Sequence, residues 1–229
     1  AKKAIDDNYS HYSPVPGYPV LRNAIVEKLK RENGLDYTPA QILCSNGAKQ
    51  SVCNTLMALV NDGDEVIIPA PYWVSYPQMV KLAGGNPITI EATIEQDFKI
   101  TPAQLKAAIT PRTKALILCS PSNPTGSVYS LQELTKLAEV LKEYPEIIVL
   151  SDEIYEHINY TGQHASIAQV AGMKERTVII NGVSKAYAMT GWRIGFIAAP
   201  EWIVKGCNKL QGQYTSGPCS VSQIAAAAA

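Results

Sequence analysis

The chain has 229 residues, enough for one large domain with a substantial core. Hydrophobic residues make up 46% and charged residues 17%, and Lys+Arg and Asp+Glu balance at 20 each, so no net field favours nucleic acid or an anionic membrane. No apolar run approaches the roughly 20 residues that a membrane-spanning helix requires.

The first residues read as a helix, with no Met and no signal peptide before them. Leu21, Ile25 and Leu29 recur every four residues and predict a second helix. Ser45-Asn46-Gly47-Ala48-Lys49-Gln50 opens a third that runs to about Val60, with Val52, Leu56, Leu59 and Val60 as its apolar stripe. Small residues at such a start let backbone N–H groups approach an anion. Strand-like runs follow at 65–69, 87–90, 115–119, 147–151, 177–180 and 195–199. Several are almost continuously apolar, which suits strands covered on both faces. Between them, Pro102 after Thr101 starts a short helix, and Leu131, Leu134, Leu137, Ala138 and Leu141 form a stripe behind a Ser130/Glu133 capping box. Strands alternating with helices imply an α/β fold of three layers, α/β/α, around a mostly parallel sheet. The chain closes on Ala225-Ala226-Ala227-Ala228-Ala229; with its abrupt start, this leads us to treat it as a fragment.

Cys44, Cys53, Cys119, Cys207 and Cys219 show no paired or metal-like spacing, and buried free thiols at Cys53 and Cys119 are expected, as in a reducing, cytoplasmic compartment. His11, His157 and His164 are scattered, so no metal site is expected.

In sheets of this kind ligands collect beyond the carboxyl ends of the strands. After the 115–119 run comes Ser120-Pro121-Ser122-Asn123-Pro124-Thr125-Gly126. After the 147–151 run comes Asp152-Glu153-Ile154-Tyr155, which can turn an acid and a phenol toward one place. After the 177–180 run comes Asn181-Gly182-Val183-Ser184-Lys185, and Arg193 follows between apolar neighbours, where a guanidinium needs an anionic partner.

This succession, together with Pro71-Tyr72-Trp73-Val74-Ser75-Tyr76, resembles the class I aminotransferases of fold type I, and most of all bacterial aspartate aminotransferases. The resemblance runs from about Tyr12 to about Pro218. It implies that residues 1–229 form a pyridoxal 5'-phosphate-binding large domain, without the N-terminal segment and the small C-terminal domain, which in this family supplies the arginine for the substrate α-carboxylate. It implies that Lys185 holds the cofactor covalently and later carries a proton. Asp152 would pair with the pyridine nitrogen, Tyr155 and Asn123 would bond the ring hydroxyl oxygen, and Trp73 would stack on the ring. Arg193, Ser184 and the amides around Gly47, Ala48 and Lys49 would hold the phosphate.

Tyr12 matches a tyrosine that reaches the phosphate of the neighbouring subunit, which implies a homodimer with shared active sites. Lys49 matches a lysine that binds the distal carboxylate of a dicarboxylic substrate, and Asn123 and Trp73 would also touch substrate. One departure stands out: Gly182 occupies a position where many members carry a hydroxyl that touches the phosphate. The implied reaction is amino transfer between aspartate or glutamate and a 2-oxoacid, with prephenate as a further acceptor. A β-lyase would use the same residues, and a non-catalytic ligand-sensing domain of a transcription regulator is the remaining alternative, which the neutral composition does not support.

Overall fold

Strands that are apolar on both faces need cover on both faces, and the intervening helices supply it. The computed structural model describes residues 1–229. Its strands are β1 (Ile42–Ser45), β2 (Glu65–Ala70), β3 (Asn86–Glu91), β4 (Thr113–Cys119), β5 (Ile148–Asp152), β6 (Thr177–Gly182) and β7 (Gly195–Ala198). The helices are α1 (Lys2–Asp6), α2 (Pro19–Asn33), α3 (Ala48–Leu59), α4 (Ser75–Leu82), α5 (Pro102–Ala108), α6 (Leu131–Lys142), α7 (Val183–Ala186), α8 (Glu201–Tyr214) and α9 (Ser220–Ala228).

All seven strands form one sheet in the order β1-β7-β6-β5-β4-β2-β3. Strands β2 to β6 are mutually parallel, whereas β7 runs antiparallel to both of its neighbours, β6 and β1. The six expected strands appear within two residues of their expected limits. Strand β1 was not expected: Ile42-Leu43-Cys44-Ser45 is too short to carry a periodic signal, and its pairing with β7 is what makes it a strand.

Alternation along the strands divides the core. Val66, Ile68, Ile117 and Leu150 face one side and pack with Val52 and Leu56 of α3, Val80 of α4 and Ile203 of α8. Ile67, Leu116, Leu118 and Val149 face the other side and pack with Leu105 of α5 and with Leu134, Leu137 and Leu141 of α6. Leu21, Ile25 and Leu29 of α2 extend that second layer over Ile42, Ile179 and Phe196.

The expected helix starts are in place. Ser130 Oγ accepts from Glu133 N at 3.2 Å while the Glu133 carboxylate accepts from Ser130 N at 2.7 Å, and Thr101 and Gln104 cap α5 in the same reciprocal way. Each such cap is worth about 1 kcal/mol. The thiols differ from expectation: all five are free, but Cys44 and Cys207 are the fully buried ones, whereas Cys53 and Cys119 are only partly buried, Cys119 at the end of β4 beside a small pocket that Tyr76 and Asn123 also line. No helix is long and apolar enough to cross a membrane.

Because β2, β4, β5 and β6 run in parallel, their carboxyl ends share one edge of the sheet. The reversed β7 brings its first residue, not its last, to that same edge, and the segment containing Arg193 with it.

Candidate active site

A cavity of about 360 Å³ opens at that edge. Ala48, Lys49, Trp73, Asn123, Asp152, Tyr155, Ser184, Lys185 and Arg193 line it, joined by Tyr76 and Thr190. Most of the expected residues therefore converge from six separate segments of the chain. Tyr12 does not: it is 97% exposed and lines a different surface depression with residues 217–220.

One end of the cavity is built for an anion. Gly47 precedes α3 with φ +84°, a conformation that L side chains rarely adopt, and a Cβ there would run into the Arg193 guanidinium. The N–H groups of Ala48 and Lys49 lead the helix, so geometry denies them intrahelical acceptors, and no turn hydrogen bond uses them. Arg193 adopts a left-handed backbone and donates to the carbonyls of Thr190 at 2.8 Å and Asn46 at 3.3 Å. It has no carboxylate partner, although the sequence called for an anionic one. A guanidinium, two free amides and a helix N-terminus converging on one place make a site suited to an anion.

The missing hydroxyl at position 182 has a steric reason. Gly182 pairs with Gly195 across β6 and β7, and a Cβ on Gly182 would lie 2.6 Å from the Ile194 carbonyl oxygen and 2.8 Å from the Gly195 Cα. The close approach of these backbones leaves no space for a side chain, and Ser184 lines the cavity beside Lys185 instead.

The other end is acidic. Asp152 is 3% exposed; its Oδ2 accepts from the Tyr76 hydroxyl at 2.6 Å and its Oδ1 from Ile154 N at 3.3 Å. Burial pushes its pKa up from 3.8 to about 6, against the lowering effect of these hydrogen bonds. No cation pairs with it, so its charge is held at a cost that a cationic ligand atom would relieve. Tyr76 has its own pKa raised by burial and by the neighbouring Asp152 charge, so it stays a donor. Trp73 meets Tyr76 edge to face, with ring centres 5.4 Å apart. Nothing in the sequence alone assigns Tyr76 a role; its place three residues after Trp73, on the first turn of α4, was the available signal.

Between the two ends, Lys185 Nζ lies 5.6 Å from the centre of the Tyr155 ring and is in no ion pair. Asn123 Nδ2 donates to the Tyr155 hydroxyl at 3.4 Å, and burial raises the Tyr155 pKa. Lys49 Nζ sits 4.7 Å over the Trp73 ring, a cation–π contact at the rim. The arrangement is an anion cradle, a free amine and a buried carboxylate set around one cavity. It suits a ligand that carries an anionic group at one end and a protonatable atom at the other.

Comparison with known proteins agrees with this geometry. The family model described as "Aminotransferase class I and II" matches residues 1–229. The bifunctional aspartate aminotransferase and glutamate/aspartate-prephenate aminotransferase of Petunia hybrida is 52% identical over 227 residues, which cover 99% of this chain and 47% of that protein. The aspartate aminotransferase from Rhizobium meliloti superposes with a TM-score of 0.97 at 45% identity, covering 99% of this chain and 57% of that one. The aspartate aminotransferase from Thermus thermophilus with maleate gives a TM-score of 0.95 at 43% identity, covering 99% and 58%. The chain spans about half the length of the curated relatives it matches.

Proposed function

The chain belongs to the class I and II aminotransferases, and from that premise we propose that it forms the pyridoxal-phosphate-binding large domain of an enzyme that moves the amino group between aspartate or glutamate and a 2-oxoacid. The observation that carries this reading is the set of uncompensated groups around one cavity: the buried Asp152 carboxylate without a cation, the Lys185 amine without a carboxylate, and Arg193 without an anion. The coverage of relatives roughly twice as long supports a large-domain assignment, with a separate small domain in the complete protein.

Bound there, pyridoxal phosphate supplies an electron sink for the bonds at a substrate α-carbon. Arg193 and the amides of Ala48 and Lys49 would hold its phosphate. Asp152 would keep a proton on the ring nitrogen, and that cation would in turn stabilise the buried carboxylate. Tyr155 and Asn123 would bind the ring oxygen, and Trp73 would pack on the ring. Lys185 would hold the cofactor covalently, and its free amine would carry the proton from the substrate α-carbon through its Nζ. Lys49, held at the rim over Trp73, receives the second carboxylate of a dicarboxylic substrate. The aspartate and prephenate names of the Petunia relative, and maleate in the Thermus structure, support an acidic donor and prephenate as a further acceptor. Tyr12, exposed and remote from its own cavity, is free to reach the phosphate of a second copy in a homodimer.

The test is an absorbance spectrum of the full-length protein with added pyridoxal phosphate, before and after aspartate. A visible band that bleaches with aspartate supports cofactor and donor together, and Lys185→Ala abolishes both the band and turnover. A band indifferent to aspartate and glutamate refutes the substrate assignment, and no band refutes the enzyme reading.

A further inference from the structure

The turn that carries Asp152 and Tyr155 and the helix α7 that carries Lys185 leave neighbouring strands, β5 and β6, and face each other across the cavity. Behind the cavity, beyond the backbone pairing of β5 with β6, a buried side chain also links them. Glu156, one residue beyond Tyr155, is 7% exposed. Its Oε2 accepts from Asn181 Nδ2 at 2.8 Å and from Asn33 Nδ2 at 3.5 Å. Its Oε1 meets Lys28 Nζ and lies 3.5 Å from His157 Nε2. Asn181 in turn accepts the N–H of Gly182 at 2.7 Å, the residue that caps α7. Lys28 is itself held by Asn33 Oδ1 at 2.8 Å and faces Glu32 at 3.5 Å. The buried Glu153–His164 pair lies alongside.

A buried carboxylate is a poor way to gain stability, because desolvation offsets most of its attraction to Lys28. What it does here is geometric. Two directional acceptor oxygens fix three segments to one another: α2 through Lys28 and Asn33, the Asp152–Tyr155 turn through the backbone of Glu156, and the start of α7 through Asn181. An apolar replacement would fill the space without setting the distance. Neither Glu156 nor Asn181 lines the cavity, so neither touches a ligand in it.

We propose that Glu156, acting through Asn181, is a positioning residue for the reaction: it sets the separation between Tyr155 and the Lys185 amine, 5.6 Å from ring centre to Nζ. The inference rests on the aminotransferase reading above. It predicts a loss in chemistry rather than in substrate affinity, because displacement of a reacting amine by a fraction of an ångström costs rate while the groups that bind substrate remain in place.

The test uses the full-length protein saturated with pyridoxal phosphate. In E156Q the one remaining side-chain oxygen goes to the Lys28 ammonium, the stronger donor, so Asn181 meets an amide N–H₂ and the link to it is broken with the volume kept. The expected result is a fall in kcat with aspartate of about tenfold, KM within about twofold of wild type, and a shift of about half a unit or more in the pH midpoint of the cofactor's visible band. N181A breaks the link from the other side, keeps the Lys28–Glu156 pair, and gives the same signature; it also carries the test if E156Q does not fold. The double variant costs no more than the worse single one, because both remove one link. Wild-type kcat and band midpoint with only a lowered Tm, or additive losses in the double variant, would overturn the proposal. A wild-type protein that binds no cofactor overturns the aminotransferase reading and this inference with it.

Discussion

Replacing Asp152 by Asn should stabilise the cofactor-free protein while destroying its function. Asp152 is buried, accepts from Tyr76 and Ile154 N, and has no cation partner, and its pKa moves from 3.8 to about 6 on folding. Below pH 3.8 the carboxyl is protonated in both the folded and the unfolded chain and the shift costs nothing. Between 3.8 and about 6 the unfolded chain gives up its proton and the folded chain keeps it, so stability falls as pH rises. Above about pH 7 the loss is complete; a shift of about two units corresponds to about 3 kcal/mol. The Asn amide carries no charge, and its oxygen still accepts from Tyr76. Urea unfolding of both cofactor-free proteins across pH 4 to pH 8 should therefore find near-equal stability at the acid end and the D152N protein ahead by up to about 3 kcal/mol at the alkaline end. Saturating pyridoxal phosphate should reverse the order, because only the wild type gains from pairing the carboxylate with a ring cation. A wild type more stable than D152N at pH 8 without cofactor, or a gap that does not change with pH, would refute the reasoning.

Three further outcomes follow from the same geometry. Tyr76→Phe removes the 2.6 Å hydrogen bond to the Asp152 carboxylate, so the acid pKa climbs further, and the acid limb of the kcat/KM profile should move up by about one unit; an unmoved limb would separate Tyr76 from the chemistry. Gly47→Ala forces a side chain into φ +84° and against Arg193, at a cost of about 1–3 kcal/mol, and should weaken cofactor affinity at least about tenfold in an equilibrium titration. Lys49→Ala should raise KM for aspartate by about tenfold or more while leaving the affinity for pyridoxal phosphate close to wild type, since Arg193 and the α3 amides remain; steady-state kinetics beside a cofactor titration separate the two.

The sequence by itself determined the strand–helix alternation, the capping box at Ser130, the helix start at Pro102, and the succession Asn123, Asp152, Tyr155, Ser184, Lys185, Arg193. All of these are written within a few residues, as a period, a cap or a strand followed by a polar turn, and chain-local patterns survive reading in one dimension. Only the tertiary structure decided how they meet. The unforeseen β1 and the reversal of β7 bring the N-terminus of α3 and Arg193 to one edge, and a strand of four residues carries no period from which to foresee this. The Tyr76–Asp152 hydrogen bond joins residues 76 positions apart, and the Glu156–Asn181 link joins the turn after β5 to the end of β6. The absence of a hydroxyl at position 182 has its reason in the backbone of residues 194 and 195, which fills the space where a side chain would lie. Each of these depends on sheet order and register, which are set by the burial of both faces of the sheet at once, and no local stretch of sequence contains that information.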